Sequence, residues 1–204
     1  MNALLIVDLQ NDFCPGGALP VPDGDVIVPV INRLVDHFDI IIQTQDWHPA
    51  GHSSFASSHA GAKPYETIDM EYGIQVLWPD HCVQGSYGAE FHPLLNTNKT
   101  QVIIRKGFRK EIDSYSTFFE NDQKTTTGLS GYLNQRKITD LFTVGLATDF
   151  CVKWSVLDGM NEGFTMHVIK DAVKGINLDA SVEKAWSEMI NKGANITTSE
   201  EILY

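Results

Sequence analysis

Short apolar runs rich in β-branched residues alternate with amphipathic stretches along the whole chain. The first run is Ala3–Val7. Pro29–Phe38 follows, with Val30, Ile31, Leu34, Val35 and Phe38 at helical spacing and Pro29 suited to a first helical turn. Ile40–Thr44 and Val102–Arg105 read as strands, and Leu129, Tyr132 and Leu133 mark a helix near Gly128–Arg136. Leu141–Val144 reads as a strand, Cys151–Asn161 as a helix carrying Val152, Ser155, Val156 and Met160, and Met166–Ile169 as a strand. Asp179–Lys192 predicts a helix with Val182, Ala185, Trp186, Met189 and Ile190 inward, stopped at Gly193. A short last strand is expected at Ala194–Thr197.

These strand runs are apolar without alternation, which implies burial on both faces, and the βαβα order implies parallel pairing. The expectation is an α/β three-layer sandwich: a six-stranded, mainly parallel sheet flanked by helices on both faces, forming a single domain over residues 1–204. One interval, Trp47–Thr100, breaks the rhythm. Rich in His, Gly, Pro and aromatics, it is too long for a bare connection and reads as a functional excursion at about 46–100.

Composition narrows the function classes. Fifteen Lys+Arg against 26 Asp+Glu give a formal charge of −11, and no basic run exceeds two residues. Such a chain is ill suited to phosphate backbones or anionic lipid, so neither nucleic acid nor membrane is an expected partner. The opening is apolar for only five residues before Asp8, too short for a signal core, and nothing approaches the roughly 20 apolar residues of a membrane span. Three scattered cysteines (Cys14, Cys82, Cys151) imply no disulfide framework. A cytoplasmic protein with reduced thiols and a small-molecule partner is expected; monomer and homo-oligomer stay open.

In parallel sheets, sites gather beyond the carboxyl ends of the strands. Asp8 follows the first predicted strand, Asp46-Trp47-His48 the second, Lys106 the third, Gly145-Leu146-Ala147-Thr148-Asp149-Phe150-Cys151 the fourth and Asp171 the fifth. Carboxylates, an ammonium, a thiol and an imidazole would then share one rim. Cys151 falls where a strand gives way to a helix, and free N–H groups there, with Lys106 nearby, are expected to lower its thiol pKa and to receive an oxyanion. Asp8 could hold the proton the thiol gives up. Asp46 and His48 offer O and N ligands two residues apart, and Trp78-Pro79-Asp80-His81-Cys82 adds an imidazole. Two His and a carboxylate would suit Zn²⁺, Fe²⁺ or Mn²⁺, although spacing alone leaves simple hydrogen bonding open.

Three segments carry a resemblance. They are Ala3-Leu4-Leu5-Ile6-Val7-Asp8-Leu9-Gln10-Asn11-Asp12-Phe13 running on through Leu19, then Gln45-Asp46-Trp47-His48-Pro49 with Leu77-Trp78-Pro79-Asp80-His81-Cys82-Val83, and Gly145–Val152. With Arg105-Lys106-Gly107 they resemble the nicotinamidase (pyrazinamidase) family of isochorismatase-like cysteine hydrolases. The resemblance implies a metal-dependent amidohydrolase of NAD salvage that converts nicotinamide to nicotinate and ammonia, and also takes pyrazinamide. It implies Cys151 as nucleophile, Asp8 as proton acceptor and donor, and Lys106 as the supporting cation. Asp46, His48 and His81 would bind one divalent metal, zinc first, with iron or manganese as alternatives. Ala147 and Cys151 would donate oxyanion-hole N–H groups, with a cis Leu146–Ala147 peptide. Phe13, Trp78 and Tyr115 would wall the ring pocket; His52 is left open as a further ligand.

Two rivals remain at this level. An amidase of the same superfamily acting on a carbamoyl substrate would keep Asp8, Lys106 and Cys151 without needing Asp46, His48 and His81. A non-catalytic metal-binding interaction module would explain the histidines and leave Asp8, Lys106 and Cys151 without purpose.

Overall fold

A computed structural model describes residues 1–204. Six strands form the central sheet: β1 (Asn2–Val7), β2 (Ile41–Asp46), β5 (Thr100–Lys106), β6 (Asp140–Leu146), β7 (Thr165–Lys174) and β8 (Asn195–Thr197). Their spatial order is β5-β2-β1-β6-β7-β8, and every neighbouring pair is parallel. A separate antiparallel hairpin, β3 (Thr67–Met70) with β4 (Gly73–Val76), stands in the long excursion.

Alternating side chains send each strand's apolar residues to opposite faces. Leu4, Ile6 and Ile41 face α1 (Val28–Val35), whose Ile31, Leu34 and Val35 are fully buried. Leu5, Val7 and Ile42 face α2 (Leu129–Gln135), α3 (Lys153–Asn161) and α4 (Ser181–Lys192). The result is the expected three-layer α/β sandwich, with the sheet fully parallel.

Element ends differ from expectation where local chemistry intervenes. Helix α1 stops at Val35 because the N–H groups of Asp36 and His37 bond three residues back, to Arg33 and Leu34, which tightens and closes the turn. Phe38, outside the helix, still packs on Phe142, ring centroids 5.1 Å apart. Asp179 and Ala180 adopt left-handed φ in a 3₁₀ turn, so α4 starts only at Ser181; it ends at Gly193 (φ +103°) as expected. The buried stripe of α4 is Ala185 and Met189, and Ile190 is 54% exposed rather than inward. Cys151 lies in a π-helical turn, Thr148–Val152, ahead of α3. Two elements were not foreseen: the β3–β4 hairpin and the five-residue α5 (Ser199–Leu203), which opens on a Thr198/Glu201 capping box.

The order places β1 and β6 side by side while their connections leave in opposite directions, towards β2 and towards β7. A crevice therefore opens beyond the carboxyl ends of β1 and β6. No helix is long and apolar enough to cross a membrane.

Deleting a fully buried side chain removes transfer energy and leaves a cavity. Ile31→Ala is expected to cost about 2–5 kcal/mol in urea unfolding. Ile190→Ala, at an exposed position, should stay within about 0.5 kcal/mol of wild type.

Candidate active site

The carboxyl ends of β5, β2, β1 and β6 lie next to one another, and each brings one reactive side chain to a common buried point. Lys106 ends β5 and pairs in register with Asp46, the last residue of β2. Asp8 directly follows β1, and Cys151 sits in the turn after β6. The Lys106 ammonium is completely buried, 2.8 Å from Asp8 Oδ2, 3.0 Å from the Ser114 carbonyl and 3.5 Å from Cys151 Sγ, and it also donates to Asp46 Oδ1.

Asp8 is held by one hydroxyl. Its N–H donates to Thr44 Oγ1 at 3.1 Å, and that hydroxyl donates to Asp8 Oδ1 at 2.6 Å. Thr44 thereby fixes a left-handed backbone (φ +45°) and one carboxylate oxygen together, leaving Oδ2 for Lys106. Asp46 is held by Gln10, whose amide accepts from its N–H and donates to its carbonyl, both at 2.8 Å.

The charges sort the protons. Burial raises Asp8 to about 6, with Lys106 opposing. Burial also works against charge on Asp46, yet the Lys106 ammonium beside it holds it well below the usual carboxylate range. Lys106 stays charged because Asp46 and Asp8 outweigh its desolvation. Cys151 corrects an expectation: burial pushes its thiol well up, and Lys106, already shared by two carboxylates, offsets only part of that. In the free protein the thiol keeps its proton beside a carboxylate poised near neutrality.

Asp46 Oδ2 faces a second group, 3.5 Å from His48 Nε2 and 3.8 Å from His81 Nε2. His48 Nδ1 lies 2.9 Å from the Gly107 carbonyl and His81 Nδ1 2.8 Å from the Pro79 carbonyl. Carbonyls only accept, so both Nδ1 atoms carry the hydrogen and both Nε2 lone pairs turn towards Asp46. His48 Nε2 is buried without a hydrogen-bond partner. Two lone pairs and a carboxylate oxygen facing one another call for a cation between them, and the N₂O donor set fits a divalent metal. Gly107 is fixed by this arrangement: at φ +61°, a Cβ there would lie 2.3 Å from the His48 ring.

An aromatic cleft joins the two groups. Phe13, Trp78 and Tyr115 line it with Asp46, His81, Ala147 and Cys151. The Leu146–Ala147 peptide is cis. Phe150, not singled out from sequence, stands edge-on to Trp78 at 4.8 Å; its position next to Cys151 was the available signal. Asp113 and Ile176 also line the cleft and carried no sequence signal, and Leu19, the end of the first resembling segment, lines it too. His52 stays outside, because Nδ1 meets Ser54 Oγ at 2.8 Å and Nε2 the Arg109 carbonyl at 2.8 Å. Asp171 leaves the rim as well: β7 runs on to Lys174, and the Asp171 carboxylate binds the N–H and hydroxyl of Ser199. Cys14 and Cys82 are buried, free thiols, and neither lines the cleft.

A doubly wound sheet that gathers a thiol, an ammonium and a carboxylate at its switch point has the architecture of a cysteine-dependent hydrolase. The isochorismatase domain family matches residues 2–201, and the chain belongs to that family. A nicotinamidase from Acinetobacter baylyi is 52% identical over 201 residues, 98% of this chain and 94% of its own. The solved structure of an Acinetobacter baumanii nicotinamidase/pyrazinamidase superposes with a TM-score of 0.98 at 53% identity, covering 99% of this chain and 98% of that one. A Pyrococcus horikoshii pyrazinamidase solved in complex with zinc gives a TM-score of 0.79 at 36% identity, covering 97% of this chain and 98% of that one. With the Asp46–His48–His81 donor set, that complex supports a divalent metal site.

Because Lys106 is the one cation lowering the Cys151 pKa, Lys106→Met should push the thiol further up. Alkylation of Cys151 by iodoacetamide at neutral pH, followed by mass spectrometry, is expected to slow about tenfold or more. An unchanged rate would separate Lys106 from the thiol.

Proposed function

We propose that this protein is a metal-dependent cysteine amidohydrolase that converts nicotinamide to nicotinate and ammonia, a step of NAD salvage, and also hydrolyses pyrazinamide. The observation that carries this reading is Asp46, whose two oxygens tie the Lys106–Asp8–Cys151 group to the His48–His81 group inside one aromatic cleft. An amidase needing only a thiol has no use for that second group. The free cysteines support a reducing, cytoplasmic setting.

The aromatic walls, Phe13, Trp78 and Tyr115 with Phe150, sandwich a flat ring and exclude water. Asp46, His48 and His81 would hold a divalent ion, zinc by preference, which would supply a Lewis-acid anchor for the ring nitrogen. Cys151 Sγ forms the bond to the amide carbon as its proton passes to Asp8, whose carboxylate lies within 4.8 Å. The backbone N–H groups of Ala147 and Cys151, at the wall of the cleft, receive the oxyanion. Asp8 then gives its proton to the departing nitrogen, the C–N bond breaks and ammonia leaves. For the thioester, Asp8 takes a proton from water, whose oxygen bonds to the carbonyl carbon, and returns it to sulfur as the C–S bond breaks, restoring the thiol. Lys106 keeps two carboxylates and the sulfur in register throughout.

Cys151→Ser is expected to lower ammonia release from nicotinamide at least a thousandfold with circular dichroism unchanged, because the covalent step is lost. Cys14→Ala should keep activity within about threefold; equal losses at both positions would make the thiols structural. Benzamide carries the same amide without a ring nitrogen, and it should be a poor substrate. In His48→Ala the preference for nicotinamide over benzamide should shrink sharply, since a bond to the ring contributes only when both partners exist. An unchanged preference would confine the ion to structure.

A further inference from the structure

The β3–β4 hairpin stands apart from the central sheet, and most of its surface is exposed, Ile74 at 76%. Gln75 is the exception. It is the one buried residue of the two strands, 1% exposed, and its amide is saturated with partners. The two hydrogens of Nε2 are shared among three acceptors, Asp113 Oδ2 at 2.9 Å, Tyr115 Oη at 2.9 Å and the Val76 carbonyl at 2.7 Å. Oε1 accepts from Tyr72 Oη and Asn121 Nδ2, each at 3.1 Å. Asn121 in turn accepts from the Tyr115 N–H at 3.0 Å.

Asp113 and Tyr115 both line the aromatic cleft, as does Trp78, which follows the hairpin by two residues and donates its indole N–H to Tyr115 Oη at 3.1 Å. The Tyr115 hydroxyl therefore accepts from Gln75 and from Trp78, one donor on each lone pair. A buried amide carrying this many bonds is costly to strip of any one of them. Neither the thiol group nor the metal donors touch Gln75, so the mechanism leaves it without a task.

We propose that Gln75 is a positioning residue for substrate specificity: it locks Asp113 and Tyr115 to the hairpin and so fixes the width of the ring pocket. The proposal rests on the carboxamide-hydrolase reading and deepens it by assigning the pocket's size limit to a single amide. Ring binding, and not thiol chemistry, is what Gln75 controls. A loosened wall admits wider rings and holds a single six-membered ring less well.

The test compares wild type, Gln75→Leu, Gln75→Glu, Tyr115→Phe and the Gln75→Leu/Tyr115→Phe double variant, metal-loaded, on nicotinamide and on the bicyclic quinoline-3-carboxamide. Both Gln75 variants should raise KM for nicotinamide tenfold or more with kcat within threefold. The preference for nicotinamide over the bicyclic amide should fall at least tenfold, while iodoacetamide labels Cys151 at the wild-type rate. The double variant should raise KM by less than the product of the two single changes, since both substitutions break the Gln75–Tyr115 bond. Should Gln75→Leu fail to fold, the isosteric Gln75→Glu, which still accepts from Tyr72 and Asn121 but repels Asp113, carries the same reading. An unaltered KM and preference, a fall confined to kcat, or a double variant equal to the product of the singles would overturn it. An active wild type with such variants rejects the Gln75 assignment alone; a wild type that releases no ammonia rejects the functional reading beneath it.

Discussion

A fully buried ammonium organises this molecule. Lys106 has lost all its water, and an isolated charge in that position would cost several kcal/mol. It is tolerated because Asp8, Asp46 and the Ser114 carbonyl replace the lost hydration. Lys106 and those partners come from the ends of three adjacent parallel strands and one following loop, so the ion pair sets how the strand ends may sit relative to one another. With two carboxylates against one ammonium, the cluster already carries a formal negative charge. A thiolate added to it would meet net repulsion, which is why burial, rather than the neighbouring cation, decides the resting state of Cys151. Asp8, raised to about 6, is the nearest carboxylate able to share that proton.

Asp46 extends the constraint outward. One oxygen belongs to Lys106 and the other faces two imidazole lone pairs, so the ammonium group and the metal donors cannot be repositioned independently. The backbone answers at each joint. Gln10 clamps both backbone polar groups of Asp46, Gly107 leaves room for the His48 ring while accepting from its Nδ1, and Thr44 holds Asp8. Each is a residue whose size or hydrogen-bonding capacity is dictated by the side chain it serves.

Strand positions were legible because hydrophobic runs without alternation have few readings in a chain of this composition. The residues after them could be placed on one rim for the same reason. Lys106 and Asp46 needed no contact information, only the rule that parallel strands end together. Asp171 failed under the same rule because β7 continues past the apolar run to Lys174, where neighbouring β6 rather than hydrophobicity maintains pairing. The hairpin was invisible for a related reason: its strands are four residues each and mostly exposed, so no apolar period announces them. The Thr198/Glu201 box was readable, but five residues give no helical period to attach it to. Thr44 and Gln75 carry no motif, since a buried polar side chain is recognised only by the partners folding gives it.

Reactive groups and recognition groups are therefore carried by different kinds of backbone. The thiol, ammonium and both carboxylates sit at or just beyond strand ends, where sheet hydrogen bonds hold position to fractions of an ångström. The cleft walls come from connecting segments: Phe13 from the turn after β1, Trp78 from the stretch after the hairpin, Tyr115 from the long link between β5 and α2. Such segments drift unless tied, and the link bearing Tyr115 is tied by the side-chain amides of Gln75 and Asn121 rather than by a sheet. A change in a wall-tying amide alters which ring fits without disturbing the proton inventory around Lys106. A change at a strand end alters that inventory itself, because every group there already shares its hydrogen bonds with the ammonium.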